Sequence, residues 1–99
     1  MLQAQYTENK KALQLHLYLN LEQLPEEVRF AVWSENGDQE DLQWFTAQEQ
    51  MGTWNCAVDL AQYPADSALV VHAYGVAAGE TEFLNGCVIQ AAPVPSAQE

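Results

Sequence analysis

The sequence predicts an all-β sandwich of about seven short antiparallel strands, and three observations carry that prediction. Leu13, Leu15, Leu17 and Leu19 occupy every second position, with Gln14, His16 and Tyr18 between them. Side chains alternate faces along a strand, so this segment has a leucine face for the core and a polar-aromatic face for the outside. On a helix the same leucines would spread around the circumference and leave no single apolar stripe. Turn signals separate most of the other apolar runs, and no segment carries a convincing helical period. Two connections, residues 22–27 and 60–67, are long enough to cross between sheets, which favours a sandwich over an up-and-down barrel.

Taken in order, Leu2, Ala4 and Tyr6 alternate with polar residues until Glu8-Asn9-Lys10 breaks the run, giving a short first strand and a turn. The leucine strand follows. Residues 22–27 (EQLPEE) contain a proline and read as a loop or one short helical turn. Val28, Phe30 and Val32 then alternate with Arg29, Ala31 and Trp33, a strand that becomes apolar on both faces at its end. Asn36-Gly37 is a strong turn signal, because both residues accept positive φ. Residues 42–47 return as a strand, and residues 48–52 form another turn. Trp54, Cys56 and Val58 alternate with Asn55, Ala57 and Asp59 in the next strand. Residues 60–67 (LAQYPADS) make the second crossing loop. Residues 69–76 (LVVHAYGV) are β-branched and aromatic and belong at the centre of a sheet. Ala78-Gly79-Glu80 turns the chain and residues 81–91 come back as the last strand, with Asn85-Gly86 marking a bulge. Residues 1–91 therefore form one module, and residues 92–99 (APVPSAQE) a linker or disordered tail.

Ninety-nine residues suit one domain with a single core. Fourteen acidic side chains oppose Lys10, Lys11 and Arg29, a net charge of −11. Such a surface repels phosphate, so nucleic acid and anionic membrane are poor partners, while solubility alone also favours it. No apolar run approaches the ~18 residues of a membrane-spanning helix, so no membrane insertion is expected. The start lacks the basic, apolar, small-residue pattern of a signal peptide, so a secreted form would be a mature fragment or an excised module. Cys56 and Cys87 are too far apart to match a zinc signature. Free, buried thiols are the favoured reading, since a core of this size needs no staple, with one cross-sheet disulfide as the alternative.

Catalysis requires a nucleophile or a poised acid–base pair, and the chain has neither a Gly-x-Ser-x-Gly elbow nor an H-E-x-x-H motif. His16 and His72 lie in strand patterns with no serine or cysteine motif beside them, so no enzyme and no cofactor is expected. Glu35, Asp38, Glu40 and Asp41 cluster on one loop but miss the spacing of a calcium-binding loop, and a solvated hairpin tip is the stronger reading. The aromatics are the sharper constellation. With Val28, Phe30 and Val32 facing the core, Trp33 lies on the opposite face; with Val71 and Ala73 facing the core, His72 and Tyr74 share that outer face. Trp44 joins from across the hairpin and Asp41 adds a carboxylate. A flat aromatic platform beside polar groups suits a sugar ring, whose C–H face stacks on indole while its hydroxyls bond to the polar groups. The competing reading is that these rings only pack on one another to cover the sheet, with one tryptophan filling the core.

Val32-Trp33-Ser34-Glu35, then Gly37, Asp41 and Trp44-Phe45, resemble the pattern of the GBS Bsp-like repeat family, immunoglobulin-like modules of Gram-positive surface proteins. The resemblance continues through Trp54 to Val58-Asp59-Leu60, through His72-Ala73-Tyr74 and to Gly79, and spans residues 13–91. The chain departs from the pattern in its longer acidic loop at 38–41, in Ala73 between His72 and Tyr74, and in Cys56 at a frequently aromatic position. The resemblance implies an immunoglobulin-like β-sandwich of about seven antiparallel strands, extracellular and wall-associated, one module of a longer chain. The expected role is non-catalytic: contact with cell-wall glycan or a host or protein partner through Trp33, Trp44, His72, Tyr74 and Asp41. A purely structural spacer is the alternative.

Overall fold

Alternation of apolar side chains places one face of each strand against its counterpart in a second layer. The computed structural model describes residues 1–8, 11–19, 25–35, 40–64 and 67–90. Its strands are β1 (Leu2–Tyr6), β2 (Ala12–Tyr18), β3 (Glu27–Ser34), β4 (Gln43–Thr46), β5 (Gln48–Gln50), β6 (Thr53–Asp59), β7 (Leu69–Ala77) and β8 (Glu80–Ile89), with a 3-10 turn at Leu60–Gln62. Sheet 1 has the order β1-β2-β6-β5 and sheet 2 the order β4-β3-β7-β8, every pairing antiparallel. This is an immunoglobulin-like sandwich. Hairpins join neighbours within a sheet, and the chain crosses between sheets after β2, β4 and β6. Two of these crossings are the long connections read from the sequence. Asn36-Gly37, residues 22–24 of the first crossing loop and the tail 92–99 lie outside the described residues.

The core sits between the sheets. Leu13, Leu15 and Leu17 of β2 and Val28, Phe30 and Val32 of β3 are fully buried, joined by Val58, Val71, Ala73, Leu69 and Trp54. Burial of each such Leu, Val or Phe stabilises the fold by about 1.5–3 kcal/mol. Trp54 of β6 is the tryptophan that fills the core. Its indole N–H is buried and has no hydrogen-bond partner among the described residues.

Three expectations are corrected. The strands number eight, in keeping with about seven, but residues 48–50, expected to belong to a turn, form β5 and pair with β6. Ala47 is the pivot: its amide donates to the Val28 carbonyl in sheet 2 at 2.8 Å, and the next residue pairs with Asn55 in sheet 1. The turn proper is the two-residue Met51-Gly52, with φ of 53° and 86°, the mirror-image turn that suits strand twist. The bulge in β8 falls at Leu84 rather than at Asn85-Gly86, since Ala73 pairs with Asn85 and Tyr74 with Phe83. The cysteines are free, as expected, but only partly buried. Burial pushes the Cys56 thiol up to about 11 and raises Cys87 in the same direction.

The ends of the module are tied down. The N-terminal amine and the Tyr18 amide bond across to Tyr18 and Met1 carbonyls, at 2.6 and 2.8 Å. The Tyr6 hydroxyl donates to the Gln90 carbonyl at 2.6 Å, joining the last residue of β1 to the residue that follows β8.

Candidate functional site

The outer face of sheet 2 follows from strand register. In one cross-strand row Trp44 opposes Ala31, Ala31 opposes His72 and His72 opposes Gly86. In the next row Thr46, Arg29, Tyr74 and Phe83 stand side by side. On the other side Trp33, Val70 and Val88 form a third row. The residues flanking His72 are thus the two smallest, which leaves space for large rings to lean over them. A Cβ on Gly86 would lie 2.9 Å from His72 Cδ2 and 3.2 Å from Phe83 Cζ, so glycine at 86 admits both rings.

The rings form one connected cluster. Trp33 meets His72 edge-on at 4.8 Å between centroids, and His72 meets Phe83 edge-on at 5.2 Å. Tyr74 lies 5.6 Å from Phe83 and 5.5 Å from Trp44. Each such pair stabilises by about 0.5–1.5 kcal/mol beyond its area burial. The structure brings together Trp33, Trp44, His72 and Tyr74, on the outer face where the alternation put them. Their exposure differs. Trp33 retains 9% of its surface and serves as the floor, whereas Trp44 retains 56% and Phe83 53%. His72 and Tyr74 are partly buried between them.

Asp41 is engaged elsewhere. One carboxylate oxygen accepts from the Ser34 amide at 3.0 Å and the other from the Ser34 hydroxyl at 2.5 Å, clamping the end of β3. Burial works to raise its pKa, but the two Ser34 hydrogen bonds together with one from its own backbone amide outweigh it and hold the carboxyl below its usual value. Of the four acidic residues of the hairpin tip, Asp38 lies outside the described residues, and among those described no group of three or more His, Cys, Asp or Glu is placed to hold a metal ion.

Phe83 is the site residue that sequence reasoning missed. It shares odd parity with Cys87 and Ile89, which pack against the core. In a regular strand Phe83 would face inward with them. The extra residue at Leu84 reverses the parity and turns Phe83 outward. Gly86 was readable only as a bulge marker, while its role here is clearance for His72.

A family model described as GBS Bsp-like repeat matches residues 4–87. No curated protein matches the sequence. Among solved structures, BC0361, a polysaccharide deacetylase from Bacillus cereus, superposes with a TM-score of 0.67 at 18% identity, covering 90% of this chain. The chain spans only 29% of that protein's length. A bromine derivative of BhCBM56 superposes with a TM-score of 0.64 at 11% identity, covering 90% of this chain and 88% of the other. At these identities the likeness is one of fold.

Proposed function

The chain belongs to the GBS Bsp-like repeat family, and from that membership we propose that it is a non-catalytic, extracellular module of a Gram-positive surface protein that binds neutral cell-wall glycan. The observation that carries this reading is the connected ring cluster on the outer face of sheet 2, with Trp44 and Phe83 more than half exposed. Exposed, contiguous aromatic surface is uncommon on a face with no binding role. Indole and phenyl faces stack on the C–H surface of a pyranose, and His72 and the Tyr74 hydroxyl supply polar atoms at its rim. A net charge of −11 disfavours a polyanionic ligand, which points to an uncharged sugar chain. The likeness in fold to BhCBM56 and to part of a polysaccharide deacetylase is consistent with a place beside glycans.

The spacer reading has its own observation: Trp33 is nearly covered, so part of the cluster serves only to seal the sheet. Trp33→Ala would therefore damage the fold and is the wrong test. Trp44→Ala combined with Phe83→Ala removes the two exposed rings instead. Retention on insoluble Gram-positive cell wall should fall about tenfold or more, the equivalent of ~1.4 kcal/mol of stacking, with the circular dichroism spectrum unchanged. Equal retention of parent and double variant would leave the spacer reading standing.

A further inference from the structure

A second feature adjoins the aromatic face on the far side of Trp44. Where the chain leaves sheet 2 at the end of β4 and joins sheet 1 as β5, an open groove of about 790 Å³ runs along the side of the sandwich. That volume is within the range of small-ligand sites. Gln14 and His16 of β2, Gln48 and Gln50 of β5, and Asn55 of β6 line it, with Trp44 of β4 at its border. Register sets three of these in one row, His16 opposite Asn55 and Asn55 opposite Gln48. Gln14 opposes Ala57, whose small side chain keeps the floor open.

The chemistry of this lining is selective. Among the described residues the only carboxylate along it is Glu49, on a chain with fourteen acidic residues, and its Oε2 already accepts from the Gly52 amide at 2.8 Å. The other polar groups are four primary amides, one imidazole and the Thr46 hydroxyl, set beside the apolar rings of Trp44 and Phe45 and the Cys56 thiol. His16 Nδ1 and Asn55 Oδ1 lie 2.5 Å apart, and the Asn55 amide nitrogen reaches the Thr53 carbonyl at 3.4 Å. The asparagine oxygen is therefore the acceptor and Nδ1 the donor. Each glutamine adds two donors and an acceptor. Paired donors and acceptors match the vicinal hydroxyls of a sugar, and the lining holds no Lys or Arg to neutralise a phosphate.

We propose that this groove is a second site, adjoining the aromatic face at Trp44 but reached without Phe83, that reads the hydroxyls of a neutral oligosaccharide. The test is an NMR titration of the domain with hexamers of β-linked glucose and of β-linked N-acetylglucosamine. The side-chain amide resonances of Gln14, Gln48, Gln50 and Asn55 should shift with at least one hexamer. Gln14→Ala, a change at an exposed position, and Asn55→Ala should each weaken that response fivefold or more. Phe83→Ala, which disables only the aromatic face, should leave it intact. Groove amides that stay unmoved by both sugars at millimolar concentration would overturn the proposal. So would groove shifts that vanish with Phe83→Ala, since they would report the aromatic face alone; wall retention unchanged by Trp44→Ala combined with Phe83→Ala, with groove shifts preserved in the parent, would sink the other reading and keep this one.

Discussion

Tyr63 leaves the 3-10 turn and folds back over the core to donate its hydroxyl to the Val32 carbonyl at 3.0 Å. The ring is buried, and burial together with the nearby negative charge of Asp41 pushes the phenol up to about 12. Tyr63→Phe keeps the ring and removes the hydrogen bond, so it should lower the unfolding free energy by about 1–2 kcal/mol, read as a shift of the urea midpoint at constant slope. An unchanged midpoint would mean that the bond contributes nothing. Neither Tyr63 nor its partner was legible in the sequence, because LAQYPADS has no periodicity and the contact spans 31 residues. Asp41 illustrates a related limit. A carboxylate near tryptophans looks like part of a binding site, and only geometry shows both its oxygens held by Ser34.

Strand identity was legible wherever apolar residues alternate, as in β2, β3, β6 and β7, because a buried face imposes period two. It failed at β5, whose three exposed polar residues carry no such pattern; backbone pairing and the tight turn alone make them a strand. That turn offers a clean test. Met51 is 96% exposed and holds φ at 53°, a left-handed conformation that costs an ordinary L-residue about 1–2 kcal/mol and that asparagine tolerates better. Met51→Asn should therefore raise thermal stability by a few degrees, seen by calorimetry. A lower melting temperature would contradict the turn assignment. In β8 the displaced bulge decided more than a boundary, since it sent Phe83 to the surface and so completed the aromatic face.

At the scale of the whole molecule, the two layers were legible because two crossings are long, whereas the third, at Ala47, takes a single residue and left no mark in composition. Protonation also acts globally. Burial lifts Cys56 from 9.0 to about 11 and Tyr63 from 10.0 to about 12, and raises Tyr6 and Cys87 as well. The unfolded chain surrenders these protons first, so it gains stability relative to the fold as alkali is added. The melting temperature should hold below pH 9 and fall between about pH 9 and 12. Combining Tyr63→Phe with Cys56→Ala should flatten that fall, and a slope identical to the parent's would assign it to other groups. The same thiols, being protonated at neutral pH and half covered, should react slowly with alkylating reagents.

The bond between Tyr6 and Gln90 has a mechanical meaning. β1 and β8 finish side by side, so Met1 lies at the opposite pole from Gln90, about 17 Å back along β1 at ~3.4 Å per residue. Tension applied between those two points pulls along the strand axes and loads the β1–β2 and β7–β8 ladders in shear. Hydrogen bonds loaded in shear share the force and yield together, whereas bonds peeled open from one end yield in turn. A module threaded in series in a longer chain would therefore resist stretching along its length.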